Sequence, residues 1–475
     1  MKLLKRSLCL LLSLLTAVTF IACKKDDEGS GTVGESVNAG DYEIDFSDKN
    51  YEGHEFKVLR VDAETQHGIA GHPNDIYIEQ MGEDSLANTV YQRNQELSRM
   101  LNVNISMSMD KNGPQTVNLL STNVLSGDDC YDLVIQELEF FPSLVNQGLI
   151  KDMKELSLDT SYSWWDRAAE NSLRFEDKQY GMISDAIYLD KLSTVGVFYN
   201  TVMAEKLHLP NIYEMVEKGE WTYEKMKEYA VMATESGEDI YGMSCQNDAS
   251  YYFLHSANIK TVIRNTAGEL KYNLANNRAV NTLGEIFTLM NLNYFFNRQS
   301  EGLDVDSTVK MFDMQTLFLV RPLQTFYYIK NYNDTYGILP MPKFDDVVTD
   351  YYSAINHHVA TFIAVPANNS ANERTTDVLQ AWSMISNKIV MPELYDRILS
   401  TRMVSDLNSS KMIDIILKNR VYDIGFIWNF GSIESTLVLS NKVAIERAPT
   451  TIGSVVATAK TAVENSIKSY TEKIN

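Results

Sequence analysis

The chain has 475 residues, 44% of them hydrophobic and 22% charged, with a formal net charge of −21 and an isoelectric point near 4.8. A chain of that size can bury two cores, and its acidity argues against a nucleic-acid partner, whose phosphates it would repel. It does not argue for a cationic ligand, because acidic surfaces most often serve solubility.

Lys2, Lys5 and Arg6 precede an apolar run from Leu8 to Ile21, and Ala22 stands immediately before Cys23. This is the pattern of a secretory signal peptide over residues 1–22, too short and too closely followed by polar chain to span a membrane. No second apolar run approaches twenty residues, so no other span is expected. Residues 23–50 are polar, rich in glycine and acid, and without periodicity, which predicts a flexible linker.

The folded part opens with a strand over Glu55–Asp62, a helix over Ser85–Leu101 with Leu86, Val90, Leu97 and Leu101 on one face, and strands at Val103–Met109 and Tyr131–Gln136. Strands alternating with helices predict a parallel sheet with crossover helices. In mid-chain the apolar run Val195–Asn200, VGVFYN, reads as a buried strand. A helical segment ending at Pro210 follows, and then a helix that Thr222 can cap, with Met226, Tyr229, Ala230 and Ala233 at helical spacing. Ile240–Cys245 and Gln315–Val320 are further strands. Tyr336–Lys343 is a strand stopped by two prolines, which cannot continue a ladder. His358–Pro366 is another strand. Helices carry Val378, Trp382, Ile385 and Ile389, and finally Ile452, Val456, Ala459, Val463, Ile467, Tyr470 and Ile474.

Several of these stretches resemble one family. VGVFYN followed by GEWTYEKMKEYA, together with YQRN at Tyr91–Asn94, YDLVIQ at Tyr131–Gln136, VNQGLIKDMKEL at Val145–Leu156, the segment Ser163–Asp185, and YGILPMPK at Tyr336–Lys343, resembles the extracellular solute-binding proteins of family 1 in their order. These are the substrate-binding lipoproteins of carbohydrate ABC importers. The resemblance covers nearly all of the mature chain and rests on the order of modest motifs, none decisive alone. It implies an α/β, two-lobed fold of the periplasmic-binding-protein type II kind, each lobe a mainly parallel sheet flanked by helices, with hinge crossings between. It also implies a first lobe of 51–197 plus 344–398 and a second of 198–343 plus 399–475, and it makes Ser163–Asp185 a tryptophan-bearing helix and small hairpin. The tetrapeptide Phe-Ile-Ala-Cys resembles a bacterial lipobox, with Phe20 where leucine is usual. Cys23 would then carry lipid and hold the protein on the extracytoplasmic side of the membrane, at the cell surface or in a periplasm; a plain cleaved signal is the alternative. Cys130 and Cys245 are expected in different lobes, buried and unpaired.

The implied function is capture of a sugar or oligosaccharide between the lobes by a monomer that delivers it to ABC permease subunits, without cofactor, metal or catalysis. Aromatic rings suit the apolar faces of a sugar, and carboxylates suit its hydroxyls. The resemblance puts the candidates at the cleft. Trp428, in GFIWNF, is the leading one, against core packing. Glu137, at the end of YDLVIQ, would accept hydroxyls or merely begin a helix. Asp185 precedes the hinge strand. Of Trp164 and Trp165, adjacent on a helix, one is expected in the core and the other, here Trp165, at the rim. Tyr251 and Tyr252 follow the Ile240–Cys245 strand, and Arg321 lies just past Gln315–Val320. Trp221 and Trp382 are assigned to structure.

Two other classes compete. A secreted glycoside hydrolase needs a carboxylate pair, which 63 acidic residues will always offer somewhere. A helical surface glycan-binding lipoprotein would need a repeat period that the chain lacks. No hydrolase elbow, phosphate loop, H-E-x-x-H or C-x-x-C occurs. His357 and His358 are adjacent, and on a strand they would point to opposite faces and make a poor metal pair.

Overall fold

The computed structural model describes residues 44–62, 74–109, 111–245, 249–290, 295–297, 315–329, 336–400, 407–437 and 452–474. The signal segment, Cys23 and the linker up to residue 43 lie outside the described residues.

The chain first forms β1 (His54–Arg60), α1 (Ser85–Leu101), β2 (Val103–Ser108), α2 (Gly113–Ser126) and β3 (Leu133–Glu137). β1 pairs in parallel with β2 on one side and β3 on the other, so each connection crosses over through a helix. α1 begins where Asp84 accepts from the Ala87 amide and ends at Asn102 in the left-handed region. Its buried face carries the four expected apolar residues and also Arg93, which periodicity did not signal. Arg93 is held by the carbonyls of Asp75, Ile76 and Ala186 at 2.8–3.1 Å and lies 5.0 Å from the Trp382 ring. Burial lowers its pKa to about 9.

After α3 (Phe141–Asn146) come α4 (Arg167–Leu173), the hairpin β4 (Arg174–Phe175) and β5 (Lys178–Gln179), and the wholly buried β6 (Val195–Asn200). There follow α5 (Thr201–Lys206), α6 (Ile212–Glu217), α7 (Tyr223–Glu235), β7 (Tyr241–Cys245), α8 (Ala249–Ser256), the hairpin β8 (Val262–Arg264) and β9 (Leu270–Tyr272), α9 (Asn277–Met290), β10 (Phe295–Asn297), β11 (Thr316–Pro322) and β12 (Tyr336–Leu339). Thr222 caps α7 by accepting from the Lys225 amide. A Cβ on Gly242 of β7 would stand 2.1 Å from the Ala230 carbonyl oxygen, so α7 lies directly on that strand. The chain returns through β13 (Ser353–Ala354), β14 (Thr361–Ala364) and α10 (Asn372–Ser400), then α11 (Leu407–Lys418), β15 (Arg420–Val421), α12 (Ile424–Ile427) and α13 (Ile452–Ile474).

Among the described residues the two larger sheets are ordered β14-β3-β1-β2 and β10-β7-β11-β6-β12. Each has three parallel strands and one antiparallel strand brought in across a crossing: β14 against β3, and β6 against β11. β12 closes the far edge of the second sheet, antiparallel to β6. This is an α/β architecture of two lobes, and it overturns the all-helical alternative.

Three expectations need correction. Trp164 and Trp165 precede α4 instead of lying on it, and both are buried, so neither forms a rim. Both indole N–H groups donate to Gln380 Oε1, at 3.2 and 3.1 Å, which draws the rings inward together. Cys130 is exposed, since it lies in the loop before β3; Cys245 is buried on β7, and no disulfide joins them. His357 and His358 sit in a turn before β14, so the alternation of a strand does not separate their rings.

Candidate functional site

The carboxyl end of β3 delivers Glu137, Leu138 and Glu139 to the seam between the lobes, and α3 follows at once. The opposite wall comes from the turn after α12 and from α13. Gly431 shapes that wall: its φ is +58°, and a Cβ there would lie 2.5 Å from the Ala462 backbone, so α13 comes down onto this turn only because the side chain is missing. The two walls flank an open cavity of about 470 Å³, with Glu139, Pro142 and Asn146 on one side and Trp428, Asn429 and Tyr470 on the other. Asn146 Nδ2 donates to the Tyr470 hydroxyl at 2.6 Å, closing one end.

Trp428 is 1% exposed and lines the cavity. Its indole N–H donates to the Ser172 carbonyl at 3.0 Å, Phe430 stacks on it, and Phe141 and Tyr470 meet it edge-on at 5.0 and 5.2 Å. Phe141, which follows β3, thus shares one cluster with rings from the turn after α12 and from α13.

Beside the cavity, Glu139 Oε2 lies 2.7 Å from His358 Nδ1, and His358 Nε2 lies 2.9 Å from Glu434 Oε1. His357 Nε2 stands 3.4 Å from Glu434 Oε2. Burial works against the charge of Glu434, but the bonds from the two histidines outweigh it and hold its carboxyl well below the usual range. Deeper in the seam Asp423 accepts from the Thr261 amide and hydroxyl, from the Gly425 amide, and faces His255 Nε2 at 3.1 Å. Burial pushes its pKa up, while His255 and these donors pull it down further, leaving it below the ordinary carboxylate value. A cavity of about 10 Å³ lined by Leu138, Tyr251, His255 and His357 adjoins the pair, room for about one water.

A second polar cluster crosses the seam at the hinge side. Arg420 of β15 contacts Asp166 and stands 3.2 Å from Asp190, Tyr422 donates to Asp166 at 3.1 Å, and Lys191 pairs with Asp190 and Asp185 at 3.2 and 3.1 Å.

The sequence-based candidates therefore divide. Glu137, Tyr251, Tyr252 and Trp428 converge on the seam, all buried: Glu137 stands opposite Thr361 of β14, and Tyr252 accepts from Asn356 Nδ2 at 3.1 Å. Asp185 is drawn into the hinge-side cluster by Lys191 and by Asn387 Nδ2 at 2.8 Å. Trp165 is packed in the first lobe, and Arg321 lies within β11 opposite Gly196, in the crossing itself. Glu139, Asn146, Glu434 and Tyr470 were missed. Glu139 lies two residues beyond Glu137 at the same strand end, whereas nothing in the local sequence marks Glu434.

No family model matches the chain, and no curated protein matches it. Solved structures do. A cyclo/maltodextrin-binding protein complexed with maltotetraose aligns with a TM-score of 0.60 at 14% identity, over 88% of this chain and 99% of its own. An ABC transporter solute-binding protein from Thermotoga lettingae bound to α-D-tagatose gives 0.56 at 12%, over 87% and 100%. The fold is that of the ABC solute-binding proteins. An ABC substrate-binding protein from Listeria monocytogenes in complex with cycloalternan gives 0.53 at 14%, over 89% and 99%. The solute-binding fold accounts for the strand borrowed across each crossing.

Proposed function

We propose that the chain is a lipid-anchored, extracytoplasmic receptor that captures a sugar or oligosaccharide between two lobes and delivers it unchanged to an ABC importer permease. The observation that carries the reading is the cavity of about 470 Å³ walled by both lobes, with an indole, a phenol, amides and a carboxylate around it. Such a lining offers a sugar apolar surface and hydroxyl partners together. The structural relatives supply the ligand class, since their complexes hold maltotetraose, tagatose and cycloalternan. The lobes comprise 51–197 with 344–398 and 198–343 with 399–475. The N-terminal segment, read as a signal with a lipid on Cys23, supplies the membrane tether.

A solute touching both walls binds the closed arrangement better and shifts the lobes toward it. Micromolar binding corresponds to about −8 kcal/mol, which is what remains after the cost of ordering the closed state has been offset. The test is a sugar panel followed by tryptophan fluorescence and small-angle scattering. A binding sugar is expected to perturb the fluorescence and reduce the scattering radius without being cleaved. Saturable binding with no compaction, or turnover of the sugar, would overturn the proposal.

A further inference from the structure

We propose that His357, His358 and Glu434 form a site for one divalent transition-metal ion of the zinc class at the seam between the lobes. The inference is independent of the solute proposed above.

Geometry carries it first. One ligand atom from each of the three residues can be chosen so that all lie within 4.8 Å of one another. The two histidine rings are 4.1 Å apart, and their Nε2 atoms stand 2.9 and 3.4 Å from the two oxygens of one carboxylate. A tetrahedral ion with bonds of 2.0–2.1 Å places its ligand atoms about 3.3 Å from each other. Small side-chain rotations therefore suffice to close the three groups on one ion.

The surroundings are those of a held ligand set. His358 presents Nδ1 to Glu139 Oε2 at 2.7 Å, so a carboxylate behind the ring fixes it with Nε2 directed at Glu434. His357 is buried between Tyr251 and Phe426, whose ring centres are 5.9 and 5.6 Å away. Asn356 fixes the turn: its side-chain oxygen accepts from the His358 amide at 3.0 Å, while its amide group donates to Tyr252. The charge also balances. As metal ligands the imidazoles are neutral, so Glu139 and Glu434 bring two negative charges to the site, and a divalent cation neutralises them. Nitrogen ligands select zinc-like ions over calcium or magnesium, which take oxygen. Three protein ligands leave a fourth position for water.

The location gives the site a consequence. The histidines belong to the turn entering β14 of the first sheet, and Glu434 follows α12 on the other wall. A bound ion would tie the walls together and favour the closed arrangement.

The test uses the full chain, stripped of metal, titrated with Co²⁺ as an optical probe. One equivalent should give the visible absorption of a four-coordinate nitrogen–oxygen site, and Zn²⁺ should displace it and reduce the scattering radius. Glu434→Gln and His358→Asn should each weaken binding at least about tenfold while melting cooperatively. Cys130→Ser and a His67→Ala/His72→Ala double variant should leave it unchanged. Absence of that spectrum, or its persistence in the folded Glu434→Gln protein, overturns the site. Sugar titration of the metal-free chain is read separately: sugar binding without a metal response removes only this inference, and a metal response without any bound sugar removes only the receptor reading.

Discussion

Arg420→Met tests whether the hinge-side cluster holds the two lobes in register. Methionine keeps most of the side-chain volume, so the perturbation is chiefly loss of a cation that touches Asp166 and stands 3.2 Å from Asp190, both almost wholly buried. Removing one partner of a buried pair costs about 3–5 kcal/mol, because the other charge is left without compensation. Globular unfolding carries an entropy of roughly 2.1 cal/mol/K per residue, so the unit from Tyr42 to Asn475 loses roughly 3–6 °C of melting temperature. The pH dependence has a definite sign. For Asp166, burial raises the pKa but Arg420 outweighs it, and the folded value lies below the ordinary one. Its contribution is therefore present above the ordinary carboxylate range and lost as pH falls through the folded value. In the variant the carboxyls of Asp166 and of Asp190, already raised by burial, both move up, so their cost at neutral pH is relieved by protonation. Calorimetry from about pH 7 to about pH 4 should show the gap between wild type and variant narrowing. A gap under about 1 °C, or one constant over that range, would refute the reasoning.

Trp428→Ala removes the centre of the shared aromatic cluster and should cost about 3–5 kcal/mol in chemical denaturation while weakening the bound sugar at least several-fold; unchanged affinity in the folded protein would return this ring to a purely structural role. Asp423→Asn should destabilise at neutral pH by a few kcal/mol, roughly the loss of charge-assisted bonds to His255 and Thr261. Because the Asp423 pKa is depressed, wild type loses this advantage on acidification and the two melting curves should approach each other below about pH 4. Gly242→Ala puts a methyl into the Ala230 backbone and should lower the melting temperature by several degrees or abolish soluble expression; a neutral result would mean that α7 can lift from β7 freely.

Sequence carried the frame well for local reasons. VGVFYN is apolar up to its closing Tyr-Asn, so its burial on both faces was readable. The start of α7 followed from Thr222, and α1 and α13 start and stop where their apolar spacing does, whereas the Asp84 cap of α1 emerged only from the structure. What sequence hid is long-range pairing. Asp166 and Arg420 stand 254 residues apart, and neither position differs locally from a solvated charge. Strand alternation does not apply to the histidine pair because β14 begins only at Thr361, and both histidines lie before it in a turn that Asn356 closes with its own side chain. Trp165 was placed at a rim by helical logic, where an extended segment bridged to Ser184 turns both indoles onto Gln380.

The seam also bears on how tightly any solute can bind. Asn146 to Tyr470, Trp428 to Ser172 and the Glu139–His358–Glu434 chain are contacts between protein groups of the two walls. Each favours the closed arrangement by an amount on the order of 1 kcal/mol, and apparent affinity scales with the fraction of molecules already competent to bind. Asn146→Ala deletes one such contact at the end of the cavity, leaving the indole of Trp428 in place. If closure is a real equilibrium, the variant should have a larger scattering radius when free, bind the same sugar several-fold more weakly, and reach the same radius as wild type at saturation. A variant that binds weakly yet is as compact as wild type when free would instead make Asn146 a direct partner of the solute, with no role in the balance between open and closed.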